Sequence, residues 1–167
     1  MYRNVDSCRF PKQKSPRMKN FDYASAHYYF VTICTWNKQC LFGSPGNLNT
    51  CGLIAEYGLR NISAHFPGVR IDNYVIMPNH IHIILITEEA GINLSNVIGQ
   101  YKAFVSRQIH KKQSHLHLWQ ASFHDHVIRS QTSYEKIWLY IDANPANWKK
   151  DCFFTDTVQS QTASAGS

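Results

Sequence analysis

Met77-Pro78-Asn79-His80-Ile81-His82-Ile83-Ile84-Leu85 is the segment of this chain whose residue types and spacing can do chemistry. In an extended strand, residues two apart point to the same face. His80 and His82 therefore project together, while Ile81, Ile83 and Leu85 face the other way. Two imidazoles held side by side on a rigid strand supply two of the ligands that a divalent metal needs. Each also displaces a core side chain whose burial is worth about 1.5–3 kcal/mol. The alternative reading is a hydrogen-bonded pair at a sheet edge. Two histidines do not complete a coordination sphere, so a third ligand from Asp, Glu, Gln or His is expected, with water or phosphate filling the rest. No residue of the sequence stands out as that ligand.

Two further His-x-His pairs occur. His115-Leu116-His117 follows Lys111-Lys112 in a polar stretch and reads as solvated. His124-Asp125-His126 lies in a candidate strand, from which His126 would support the metal pair by holding a ligand in place. Downstream, Gly99-Gln100-Tyr101-Lys102-Ala103-Phe104 carries a tyrosine on the apolar stripe of a helix. By itself Tyr101 reads as a core residue. Beside a metal site it becomes a candidate nucleophile, because a phenol with a pKa near 10 attacks only when charge or a base assists it. Lys102 would then offset transition-state charge, and the cation would polarise a scissile phosphate.

The elements that must position these residues follow from periodicity. His27–Trp36 is β-branched and aromatic and reads as a strand, and Phe42–Asn49 as a turn-rich loop. Cys51–Phe66 has helical spacing and stops at Pro67-Gly68. Val69–Ile76 and His80–Thr87 read as a hairpin around Met77-Pro78-Asn79. Asn93–Lys111 shows a helical stripe, Phe123–Arg129 reads as a fourth strand, and Tyr134–Ala143 as a helix behind the capping box Thr132–Glu135. The order strand, helix, strand, strand, helix, strand matches the split βαβ, ferredoxin-like pattern, with one helix added. The expected fold class is α+β: a ferredoxin-like or RRM-like, mainly antiparallel sheet with flanking helices.

Composition limits the setting. The chain has 167 residues, 44% hydrophobic and only 17% charged, which suits one domain with a substantial core. No apolar run approaches the roughly 20 residues of a membrane span, and the N-terminus has no apolar signal region. A cytoplasmic protein is expected. Five irregularly spaced cysteines without a CxxC argue against a disulfide framework or a cysteine zinc site. The net charge of +6 points to an anionic partner, nucleic acid first. Residues 1–24 carry +4 of that charge and read as a basic extension, residues 25–150 as the domain that holds the candidate catalytic residues, and residues 151–167 as a polar tail. Arg107 and Arg129 are candidate phosphate contacts with Lys102, and Trp119 reads either as a core residue or as a base-stacking one.

The chain resembles the HUH (His-hydrophobe-His) single-tyrosine, insertion-sequence-200-like transposases, and within them the REP-associated tyrosine transposase branch. The blocks that carry the resemblance are YFVTICTWNKQCLFG (29–43), FPGVRIDNYVIMPNHIHIIL (66–85), IGQYKAFVSRQI (98–109), WQASFHDHVIR (119–129) and YIDANPANW (140–148). The resemblance implies that His80 and His82 are the metal-binding pair, that Tyr101 is the nucleophile, and that the metal is Mg²⁺ or Mn²⁺. It implies cleavage of single-stranded DNA beside a palindromic hairpin through a 5′-phosphotyrosine, with rejoining by another 3′-OH. It also implies a nucleoid-associated protein, acting as a monomer or a homodimer. Wider relatives place a third ligand, often Gln, one turn after the tyrosine, where this chain has Val105. A hairpin-binding protein without catalysis is therefore the alternative. A cupin-type metal enzyme using Glu88 would need an all-β barrel, and the helical stripes oppose it.

Overall fold

The computed structural model describes residues 27–89 and 91–155. The basic segment 1–24, Cys8 and residues 156–167 lie outside the described residues.

Strand β1 (His27–Cys34) runs through the centre of a four-stranded sheet. A short hairpin, β2 (Gly43–Ser44) and β3 (Asn47–Leu48), occupies what the sequence suggests is an open loop. Helix α1 (Thr50–Arg60) starts at Asn49, whose side chain accepts from the Gly52 N–H, and Asn61 divides it from the short α2 (Ile62–His65). The expected continuous helix is thus two pieces, because Asn61 leaves the helical region at φ −100° and ψ 6°. Strands β4 (Val69–Met77) and β5 (His80–Thr87) form a hairpin joined by Pro78-Asn79. Then come α3 (Leu94–His110), β6 (His124–Ile128) and α4 (Gln131–Ala143), followed by a 3-10 turn over Pro145–Lys150.

The sheet order is β4-β5-β1-β6, and all three pairings are antiparallel. This is the expected ferredoxin-like topology, an α+β fold. Every residue of β5 is buried, so the strand is covered on both faces. Ile81, Ile83 and Leu85 join Val31 and Ile33 of β1 in a core beneath α1 and α3. Ile84 and Ile86 join Tyr28, Ile128, Tyr134 and Ile141 in a second core beneath α4. Tyr134 of α4 donates its hydroxyl to Asp72, which sits at the irregularity between Ile71 and Asn73 of β4, and this fixes α4 across the sheet.

The start of α4 differs from the expected capping box. Ser130 accepts from the Ser133 N–H, so the helix begins at Gln131, before Thr132. Among the described residues, no helix is long and apolar enough to cross a membrane. Cys34, Cys40 and Cys51 are free thiols. A Ser130→Ala variant should lose about 1 kcal/mol of stability in urea denaturation, and Thr132→Ala much less.

Candidate metal centre and its tyrosine

His80 and His82 lie where alternation requires, on the α4 face of β5, opposite Cys34 and Thr32 of β1. Neither has exposed surface, and their ring centroids are 4.5 Å apart. Each Nδ1 is occupied. Asn79 Oδ1 lies 2.8 Å from His80 Nδ1, and Thr32 Oγ1 lies 2.8 Å from His82 Nδ1. The Asn79 amide nitrogen donates to the Lys38 carbonyl at 3.1 Å and the Phe153 carbonyl at 2.8 Å. Its Oδ1 is therefore an acceptor, His80 Nδ1 carries the proton, and His80 Nε2 keeps a lone pair. That Nε2 is buried and has no hydrogen-bond partner.

The third group comes from the far end of the domain. Asp151 follows the 3-10 turn, and its side chain is 2% exposed. Its Oδ2 stands 3.9 Å from His80 Nε2 and accepts from Asn144 Nδ2 at 3.0 Å, while its Oδ1 accepts from the Phe153 N–H at 2.7 Å. The contact with His80 is not an ion pair, because burial, and after it the neighbouring His82 and Lys38, hold the His80 pKa well below its ordinary value. Burial likewise lowers His82 to about 3. Ligand atoms of His80, His82 and Asp151 all lie within 4.8 Å of one another. Two neutral imidazoles and a carboxylate thus converge with an orphaned lone pair between them, a donor set that suits a divalent cation.

Tyr140, on α4, completes the cluster. Its hydroxyl is 3.2 Å from His82 Nε2 and 3.5 Å from Asp151 Oδ2. Tyr140 and Asn144 are one helical turn apart on the side of α4 that faces the histidines. Phe30 stacks on His82 at 5.2 Å, and Phe153 covers His80 at 4.5 Å.

Tyr101 is elsewhere, and the sequence-based expectation for it is corrected here. Side chains of α3 pack on the Ile81–Ile83–Leu85 face, so β5 itself separates Tyr101 from the imidazoles. Tyr101 is 3% exposed, and its hydroxyl donates to the Ala55 carbonyl of α1 at 3.0 Å. Its ring closes on Gly58, where an added Cβ would come within 3.0 Å. Desolvation pushes its pKa far up, the reverse of what a nucleophile needs. Val105, at the expected third-ligand position, is fully buried in the same core.

Other expected site residues also serve the fold. Trp119 is 7% exposed, donates to the Lys102 carbonyl at 3.1 Å and packs against Phe42, so it is a core residue. Lys102 donates to the carbonyls of Gln120, Ala121 and Ser122, and burial lowers its pKa. Arg107 is exposed on α3, and Arg129 is exposed just after β6. His126 is exposed on β6, opposite Phe30 and separated from β5 by β1, and the supporting contact to His82 comes from Thr32. Sequence reasoning does not reach Tyr140, Asn144 and Asp151, which the structure brings to the imidazoles. The one signal for the first two is a tyrosine and an asparagine at i and i+4 on the last helix, and none exists for Asp151.

The family model described as "Transposase IS200 like" matches residues 22–144. An uncharacterised protein of Haemophilus influenzae is 34% identical over 169 residues, covering 86% of this chain and 94% of its own. A structure of a REP-associated tyrosine transposase bound to a REP hairpin superposes with a TM-score of 0.60 at 20% identity, over 82% of this chain and 73% of that one. A crystal structure of a candidate transposase from Deinococcus radiodurans gives 0.53 at 17% identity, over 78% and 97%.

Acid should destabilise the metal-free protein. The native state keeps His82 neutral down to about pH 3, whereas the unfolded chain protonates near 6.5, so the unfolded state binds more protons in between. Stability should fall as pH drops below about 6.5, by about 1.4 kcal/mol per pH unit for that histidine. Urea midpoints from pH 7.5 to 4.5 measure this, and His82→Gln should flatten the slope.

Proposed function

Because the chain belongs to the IS200-like transposase family, we propose that it is a DNA strand-transfer enzyme that cuts single-stranded DNA beside a hairpin, with Tyr140 as nucleophile. The observation that carries this reading is the Tyr140 hydroxyl 3.2 Å from His82 Nε2, beside the His80–His82–Asp151 cluster.

His80 Nε2, His82 Nε2 and Asp151 Oδ2 would hold Mg²⁺ or Mn²⁺. Once bound, that ion supplies Lewis-acid polarisation of the scissile phosphate. Asn79 and Thr32 keep the rings turned with Nε2 inward, and Asn144 orients the carboxylate. Tyr140 oxygen attacks the backbone phosphorus and the bond to the 3′ oxygen breaks. The tyrosine is left joined to the 5′ phosphate, and the 3′ oxygen takes up a proton. The phenolic proton passes through solvent to that departing 3′ oxygen, because His82 Nε2 and Asp151 Oδ2 are taken up as ligands in this reading. Attack by a new 3′-OH reverses the step and joins strands without an external energy source. Because both imidazoles lack exposed surface, the Phe153 cover must withdraw before a phosphodiester reaches them.

All the reacting groups come from one chain, which supports action within a monomer. Lys149 and Lys150, exposed immediately before Asp151, are phosphate contacts in this reading, with Arg129 and Arg107 further out. A DNA substrate also gives the protein a nucleoid-associated setting.

Incubation with a fluorescent hairpin oligonucleotide and Mg²⁺ or Mn²⁺ should give a denaturation-resistant protein–DNA adduct. Tyr140→Phe should abolish it, and His80→Ala, His82→Ala or Asp151→Asn should each reduce it at least a hundredfold. Tyr101→Phe should keep the adduct while costing about 1 kcal/mol of stability, through the lost hydrogen bond to Ala55. An adduct that survives in Tyr140→Phe would overturn the assignment. Binding of hairpins with no adduct from the wild type would favour a DNA-binding protein without catalysis.

A further inference from the structure

One exposed aromatic pair takes no part in the chemistry above. The Trp36 indole, 38% exposed, stacks on the His117 imidazole with centroids 4.2 Å apart and planes 8° apart. His117 is itself exposed, and it belongs to the His115-Leu116-His117 motif that reads as solvated from sequence. It borders an open groove of about 590 Å³ that is also lined by Lys102, Ser106, His110 and His115.

The backbone beside this pair is strained. Asn37 and Lys38 have φ of 50° and 54°, two consecutive non-glycine residues in the left-handed region. Such conformations cost of order 1–3 kcal/mol each and persist where surrounding contacts impose them. Here the contacts lead to the metal-capable site. Thr35 donates its N–H and its hydroxyl to the Asn79 carbonyl. The Lys38 carbonyl accepts from the Asn79 side chain. The Lys38 ammonium lies 5.3 Å over the Phe153 ring that covers His80. One asparagine therefore orients His80 and anchors the turn that presents Trp36.

We propose that the Trp36–His117 pair is a stacking platform for an unpaired nucleobase of the DNA strand that enters the His80–His82 site. The proposal rests on the reading of the substrate as single-stranded DNA. An indole face suits any base, and a base stacked on an aromatic side chain is worth about 1–3 kcal/mol. Lys38 is placed to meet the phosphate that follows. The platform holds the strand outside the site while Asn79 couples its position to His80.

The test is equilibrium binding by fluorescence anisotropy in EDTA, where cleavage cannot contribute. The probes are imperfect hairpins with single-stranded flanks of randomised sequence, the same hairpins without flanks, and flanked hairpins with an abasic site at each flank position in turn. Wild type should bind flanked hairpins about tenfold more tightly than flankless ones, and one abasic position should remove that gain. Trp36→Ala should lose about tenfold for flanked probes only and become insensitive to the abasic site, while Trp36→Phe recovers most of the affinity. A merely structural tryptophan would weaken both probe types alike, which would overturn the proposal. So would wild-type abasic sensitivity retained in Trp36→Ala; adduct formation through Tyr140 would then leave the strand-transfer reading standing. Failure of wild type to bind any of these probes would remove both.

Discussion

Complete desolvation of two imidazoles on the central part of an antiparallel sheet is the constraint on which this structure depends. A buried imidazole without partners is costly, and these two are accommodated by a hydrogen-bond partner at each Nδ1 and by the Tyr140 hydroxyl at His82 Nε2, with His80 Nε2 alone left unpaired. Asn79 is the residue that makes this work. Its carbonyl oxygen sets the His80 tautomer, and its amide nitrogen ties down both the Lys38 turn and the Phe153 segment. A hairpin turn of two residues thus sets the orientation of one imidazole and closes the space around it.

The sheet acts as a partition. On one face, α1 and α3 form an apolar core closed by tight contacts such as Tyr101 against Gly58. On the other, α4 covers an apolar patch at one end of the sheet and the histidine pair at the other. Because α4 is fixed by Tyr134 to Asp72 at one end, its other end delivers Tyr140 and Asn144 to the imidazoles. The packed hydrocarbon core and the imidazole cluster thereby lie on different layers. The imidazole layer is closed by aromatic rings, Phe30, Phe153 and Trp148, rather than by a continuous hydrocarbon core.

That partition explains why two tyrosines of similar appearance in sequence have opposite fates. Tyr101 and Tyr140 both lie on amphipathic helices after the histidine strand, and both face the sheet. Helical periodicity states that a residue faces inward, but not which face of the sheet it meets. Periodicity therefore points to the first suitable helix for the nucleophile, with Lys102 beside it as a charge partner and Trp119 open between a core and a base-stacking role. All three instead hold α1, α3 and the 118–122 segment together.

What the sequence determined by itself was local and periodic. Alternation in β5 placed His80 and His82 together, the order of strands and helices specified the ferredoxin-like arrangement, and the blocks from Tyr29 to Trp148 carried the family. Only the tertiary structure decided which tyrosine meets the imidazoles and which carboxylate joins them. Asp151 lies 71 positions from His80 in the sequence, beyond the last helix, and no spacing rule links groups brought together by packing across a sheet. The physical reason is that strand alternation fixes a direction within one element, whereas the choice of face for α3 and α4 depends on how the crossovers pass over the sheet.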